Sequence, residues 1–107
     1  MANTFKNQGA ALTTGGAIVY AAPVATTSII HSCYVSNIDG SNSVDVDIKA
    51  RATSGDTYYH VAKAVPVPAG STLVRDKPKD LEATGDVHMT ASVNSDAEAV
   101  LGILEIT

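Results

Sequence analysis

Residues 44–51 read VDVDIKAR, a strict alternation of apolar and charged side chains. Successive side chains of a β-strand point to opposite faces of a sheet, whereas a helix would spread this pattern around its whole circumference. The stretch therefore predicts a strand with one buried face, formed by Val44, Val46, Ile48 and Ala50, and one solvated face.

Further strands are predicted on both sides of this stretch. Residues 28–36 alternate in the same way, with Ile29, His31, Cys33 and Val35 on one face. The loop 37–43 contains Asp-Gly and predicts a hairpin connection. The remaining predicted strands, separated by Gly, Pro, Asn and Asp, are residues 17–20, 57–63, 71–75, 87–93 and 98–107.

This spacing predicts an all-β fold, a compact antiparallel β-sandwich of seven to eight short strands. The sequence leaves a jelly-roll-like and an immunoglobulin-like arrangement equally open. Composition agrees, because 30 of the 107 residues are Val, Ile or Thr, which pack well on a pleated sheet. The length favours one domain spanning residues 1–107, in which residues 1–12 are expected to form an arm or an edge strand.

Charge and cysteine content exclude several classes of partner. A net charge of −4, with seven scattered Lys and Arg residues, does not build the basic stripe that nucleic-acid binding needs. No apolar run is long enough to cross a membrane, and the first residues do not resemble a secretion signal, so we expect a soluble protein made in the cytoplasm. The single cysteine, Cys33, cannot form a disulfide within one chain.

Three groups of residues are candidates for metal binding or catalysis. His31 and Cys33 could bind zinc between subunits, although two residues on one strand are weak evidence. The oxygen-rich loop from Asp39 to Asp45 could bind a cation, but such residues are also what a turn prefers. Asp45 and Asp47 could be a carboxylate pair, yet Lys49 and Arg51 accompany them on a solvated face. We therefore expect no enzyme activity, no metal and no cofactor.

The C-terminal strand points to association between subunits. Ala99, Leu101 and Ile103 lie on one face, and Val100, Leu104 and Ile106 on the other. A strand that is apolar on both faces lies either under a loop or against another subunit. We expect a homo-oligomer, because a core of this size without disulfides is marginal.

The ordered series of strand and turn phrases resembles a known family. The phrases are MANTFK at the start, TSIIHSCYVSN, VDVDI, PVPAGSTL, LEATGD and the terminal ILEIT. Together they resemble the small virion structural proteins of tailed bacteriophages, particularly those of marine cyanobacterial phages. His31 and the charged residues 76–80 depart from that pattern.

The resemblance implies a virion component assembled in the host cytoplasm. The function expected first is a capsid decoration or cement protein that binds the major capsid protein as a homo-oligomer, most simply a trimer. A small tail or neck adaptor and a host-glycan or receptor-binding module are the alternatives. The residues expected at these contacts, either polar and aromatic in the arm, exposed tyrosines, or apolar on the last strand, are Asn3, Phe5, Lys6, Asn7, Tyr34, Tyr58, Leu104 and Ile106.

Overall fold

The computed structural model describes residues 2–75 and 77–107, which form nine β-strands. These are β1 (Asn3–Ala11), β2 (Ala17–Ala21), β3 (Thr27–Asn37), β4 (Val44–Arg51), β5 (Tyr59–Val67), β6 (Thr72–Arg75), β7 (Lys79–Leu81), β8 (Asp86–Ala91) and β9 (Ala97–Ile106). No helix occurs in these two ranges, so none of membrane-spanning length is present there.

The strands form two antiparallel sheets, which confirms the predicted β-sandwich. The five-stranded sheet has the order β1-β9-β3-β6, with β7 also paired to β3, and the four-stranded sheet has the order β2-β8-β4-β5. Apart from the β4–β5 hairpin and the β6–β7 step, each connection crosses from one sheet to the other. This alternation is the strand order of a jelly roll, which decides between the two sandwich arrangements left open by the sequence.

The structure has nine strands where the sequence predicts seven or eight. The additional strand arises because two short pieces, β6 and β7, pair with the same side of β3. Pro78 precedes β7 and has no N–H to donate to a ladder. Counted as one interrupted edge, β6 and β7 complete an eight-stranded jelly roll.

The core lies between the sheets and is formed by alternate residues of the strands. On β4, Val44, Val46, Ile48 and Ala50 are buried, as their alternation predicts. Opposite them, the inward residues of the five-stranded sheet include Val35, Leu101 and Ile103, all without exposed surface. The buried side chains are mostly aliphatic, so apolar burial is the main stabilising term.

The predicted alternation of β3 is wrong in its first half. The β3–β9 register shifts between Ile30 and Ser32, so His31 is an extra residue in a β-bulge. Ile30 and Cys33 consequently both point into the core, whereas Ile29 and His31 do not. A side chain at Gly102 would lie 2.6 Å from the ring of His31, so the glycine makes room for the bulged histidine.

The N-terminal segment forms an edge strand, which is one of the two forms expected for it. β1 pairs with β9 over its whole length without a register shift, from Asn3 opposite Ile106 to Ala11 opposite Glu98. Its first five residues are exposed.

Candidate interaction surface

The outward face of the five-stranded sheet carries a row of apolar side chains on three adjacent strands. Phe5 on β1 is opposite Leu104 on β9, and Leu104 is opposite Ile29 on β3. Phe5 is 74% exposed, and Leu104 and Ile29 are half-buried. The Phe5 ring meets the edge of the bulged His31 ring, with centroids 6.1 Å apart and an interplanar angle of 72°.

A second row crosses the same sheet. Val100 on β9 is opposite Tyr34 on β3, and Tyr34 is opposite Val74 on β6. All three are about half exposed. With the first row and the half-buried Ile106, they make up what we call the outer apolar face: Phe5, Ile29, Tyr34, Val74, Val100, Leu104 and Ile106. The two rows are separated by Asn7, Gly102 and Ser32, with the His31 ring beside Gly102. Exposed apolar side chains grouped on one sheet face are typical of protein contact sites.

The structure brings most of the predicted contact residues to this one face. Phe5, Tyr34, Leu104 and Ile106 belong to the outer apolar face. Asn3 and Asn7 lie beside Phe5 on β1 and point to the same side, since alternate residues share a face. These six residues come from three strands, and only the pairing of β1, β9 and β3 makes them neighbours.

Lys6 is not part of that face, because it points to the opposite side of β1. Its Nζ lies 3.5 Å from Glu105 Oε2 and 5.8 Å from the centre of the Tyr20 ring. The Tyr20 hydroxyl donates to Glu105 Oε2 and lies 2.8 Å from Ser28 Oγ. Burial and the hydrogen bond to Glu105 raise the pKa of Tyr20 to about 12. These contacts connect Lys6 on β1 with Tyr20 on β2 and Glu105 on β9, and so they stabilise the position of β1.

Tyr58 also lies elsewhere, on the outward side of the four-stranded sheet. Its hydroxyl donates to Asp86 Oδ1, and Arg51 Nε donates to Asp86 Oδ2 at 2.8 Å. The Arg51 guanidinium and the Lys49 ammonium lie over the Tyr58 ring, 4.5 and 5.5 Å from its centre. Tyr58 thus covers the buried Asp86 carboxylate. Burial together with the hydrogen bond to Asp86 raises the pKa of the Tyr58 hydroxyl.

The two sheets therefore present different chemistry to solvent. The outward positions of β4 and β8 are charged or polar, and Arg51 and Asp86 are bonded to each other across the two strands. His88 is packed against the Tyr58 ring, at 5.4 Å between centroids, and burial and the nearby Lys49 lower its pKa. The outward positions of the five-stranded sheet are mixed, but they include the seven exposed or half-buried residues of the outer apolar face. Of the two faces, the apolar one has more to gain from contact with a partner.

Asp45 and Asp47 share the outward face of β4, as predicted, whereas His31 and Cys33 are not brought together. His31 is on the outer side of β3 and Cys33 is in the core, where burial raises the pKa of the thiol to about 11. The carboxylate of Asp39 accepts hydrogen bonds from the backbone N–H groups of Ser41 and Asn42, which is a turn stabilised by its own aspartate. Within the described ranges, no three His, Cys, Asp or Glu residues are grouped to hold a metal.

Two cavities lie along the side of the sandwich where β5 faces β7. An open cleft of about 650 Å³ is bordered by residues of both charges, among them Arg51, Asp56, Lys79 and Glu82. A smaller cavity of about 120 Å³ reaches between the sheets to Cys33 and Met89.

Three members of the outer apolar face, Ile29, Val74 and Val100, are not among the contact residues that the sequence predicts. Val100 could have been included, because it shares its face of β9 with Leu104 and Ile106. Ile29 was assigned to the core face by the alternation that the His31 bulge interrupts. No sequence pattern indicated Val74, because only the register between β3 and β6 places it beside Tyr34.

Comparisons with known proteins show the fold. No protein-family profile matches the chain, and no curated protein matches its sequence. Among solved structures, it is similar to a chain in the "Acidic stable capsid structure of Helicobacter pylori bacteriophage KHP30". The match has a TM-score of 0.59 at 10% identity and covers 100% of this chain and 89% of that chain. The two chains therefore share one fold over nearly their whole lengths.

Proposed function

We propose that this protein is a structural component of a bacteriophage virion, and more specifically a capsid decoration or cement protein. The observation that carries the proposal is the likeness, over the whole chain, to a chain in a phage capsid structure. The fold is of a type used in viral shells, and the sequence resembles small virion proteins of tailed phages, with cyanobacterial phages as the proposed source.

The outer apolar face is the proposed contact surface with the shell. Its members are spread over β1, β9, β3 and β6, so it is a broad sheet face rather than a pocket. A broad apolar surface suits a protein partner better than a small ligand, which needs a concave site. Repetition of this contact over a lattice of identical sites adds many weak interactions together.

A homo-oligomer is part of the proposal. Each bound oligomer would contact the shell through several subunits at once, which strengthens its binding. The subunit number expected from the resemblance, three, stays a prediction. A tail or neck position would use the same kind of surface, so location has to be measured. The glycan-binding alternative retains Tyr34, which is 45% exposed, but the hydroxyl of Tyr58 is engaged by Asp86.

The proposal is tested by locating the chain in the particle and by changing the outer apolar face. Electron cryo-microscopy of particles of the phage that encodes it should show its density on the outer capsid, and density at the tail would support the adaptor instead. Val100→Asp should reduce incorporation strongly. Val93→Asp is the matched control, since Val93 is similarly exposed (44% against 49%) but lies beyond the end of β8.

Equal incorporation of the two variants would refute the outer apolar face as the contact surface. Absence of the chain from purified particles, together with binding to a glycan array that depends on Tyr34, would refute the virion role itself. Deleting residues 2–8 is a poorer test than these point changes, because the deletion would strip most of β1 from β9.

A further inference from the structure

The free edge of β1 is the least protected of the four sheet edges within residues 2–75 and 77–107. An edge strand exposes unpaired N–H and C=O groups, and proteins normally block such edges with proline, bulges, charges or short strands. β5 has Pro66, two register shifts and Lys63. β6 and β7 have only four and three residues. β2 has five residues and an irregular register.

β1 lacks most of these devices. It is nine residues long, contains no proline, and keeps a regular register with β9 throughout. Its one charged side chain, Lys6, points inward and is paired with Glu105 of the same chain, which compensates its charge. Such a strand is a template for pairing with another strand.

The hydrogen bonds of β1 show which of its backbone groups are free. Ala2 and Thr107 exchange both of their backbone hydrogen bonds, and the Leu12 N–H donates to Ala97. Since bonded and non-bonded pairs alternate in an antiparallel ladder, the even-numbered residues of β1 bond to β9. The odd-numbered residues, Asn3, Phe5, Asn7, Gly9 and Ala11, direct their N–H and C=O groups to the free edge.

We propose that this edge pairs with the β1 edge of a second copy of the chain, antiparallel across a two-fold axis at Asn7. With Asn7 opposite Asn7 of the partner subunit, Phe5 is opposite Gly9 of the partner subunit and Lys6 is opposite Gln8 of the partner subunit. This deepens the homo-oligomer of the proposed function by naming its interface.

The strand is complementary to itself in this register. Phe5 projects beside a glycine, whose missing side chain leaves space for the ring, and no charge faces a like charge. A register centred on Lys6 would instead oppose two ammonium groups. The register centred on Asn7 also puts the odd-numbered residues of the two strands opposite one another. Their free N–H and C=O groups therefore form hydrogen-bonded pairs.

The pairing joins two five-stranded sheets into one sheet of ten strands. The outer apolar faces of the two copies then form one continuous surface, which doubles the area offered to a capsid. A two-fold pair contains two chains, so this inference predicts a dimer where the resemblance implies a trimer, and the measured mass decides between the two.

Light scattering after size exclusion of the full chain tests the pair directly. We expect about twice the 11.0 kDa mass of one chain. Asn7→Asp places two carboxylates opposite each other at the axis and should raise the dissociation constant about ten-fold or more, an effect that salt weakens. Asn3→Asp is the matched control: it adds the same charge to the same strand, but opposite Ala11 of the partner subunit.

Oxidation of cysteine variants tests the register. Asn7→Cys should form a disulfide between subunits, and Asn3→Cys should not, while the buried Cys33 stays unreactive in both. A monomeric chain, a trimer, or a dimer that responds equally to both aspartate changes would overturn the inference. These measurements use no virion, so they can refute the dimer without refuting incorporation into the capsid. Conversely, a confirmed dimer would not hide a negative result in the incorporation experiment.

Discussion

Arg51 and Asp86 are directly opposite each other on β4 and β8, and Arg51 Nε donates to Asp86 Oδ2 at 2.8 Å. Asp86 is only 2% exposed although it lies on the solvent side of its sheet, because Tyr58 covers it. Arg51, Asp86 and Tyr58 thus satisfy one another on this surface, whereas the opposite surface of the sandwich presents the side chains of the outer apolar face.

The hydrogen bond from Tyr58 to Asp86 should contribute measurably to the stability of the fold. Tyr58→Phe removes a hydrogen bond to a buried carboxylate and should lower the free energy of unfolding by about 1.5–3 kcal/mol. Tyr34→Phe makes the same chemical change at an exposed site and should alter it by less than about 0.5 kcal/mol. Urea titration of both variants measures this, and equal effects would mean that Asp86 is satisfied without Tyr58.

Stability should fall in mildly acidic solution because of His88. Burial and Lys49 lower its pKa below the ordinary 6.5, so between these two pKa values the unfolded chain binds more protons than the folded one. The stabilisation is complete above pH 6.5 and is lost as pH falls through the lowered pKa. Urea unfolding at pH 7.5 and pH 5 should show this loss, and His88→Gln should diminish it; an undiminished loss would assign the effect to other groups.

Gly85 should not tolerate a side chain. A Cβ there would lie 2.7 Å from the carbonyl oxygen of Ala52 and 3.0 Å from those of Arg51 and Glu82, and backbone oxygens cannot rotate away. Gly85→Ala should lower the melting temperature, with a cost of about 1–3 kcal/mol. Gly15→Ala, which meets nothing within 4 Å, should be neutral or slightly stabilising. A stable Gly85→Ala variant would show that the corner before β8 can shift.

Leu104→Asp and Ile106→Asp should weaken association with partners without unfolding the chain, because both side chains are on the outward side of β9. Leu101→Asp, on the inward side of the same strand, should unfold it, since a carboxylate would be buried without a partner. Circular dichroism separates loss of fold from loss of partner binding. Folded variants that keep full incorporation would place the contact elsewhere.

Elemental analysis of the purified protein should find no stoichiometric metal. The reason is the His31 bulge, which puts His31 and Cys33 on opposite faces of the five-stranded sheet. One zinc ion per chain would instead require ligands contributed by several subunits.

The sequence by itself determined the fold class and the C-terminal strand. The alternation of residues 44–51 predicted which side chains are buried, residues 98–107 predicted a strand that is apolar on both faces, and the turn residues predicted the sandwich. These signals are local, since side-chain direction in a regular strand depends only on position along it. The resemblance to phage virion proteins added an expected role but no geometry.

Only the tertiary structure decided the jelly-roll order, the His31 bulge and the outer apolar face. Strand order depends on which distant segments bury surface together, and a single inserted residue reverses the face of every residue on one side of it. Lys6 and Tyr58 lie outside the outer apolar face, because they contact Glu105 and Asp86, which are remote from them in sequence. The outer apolar face exists because β1, β9, β3 and β6 pair in one register, which no local pattern encodes.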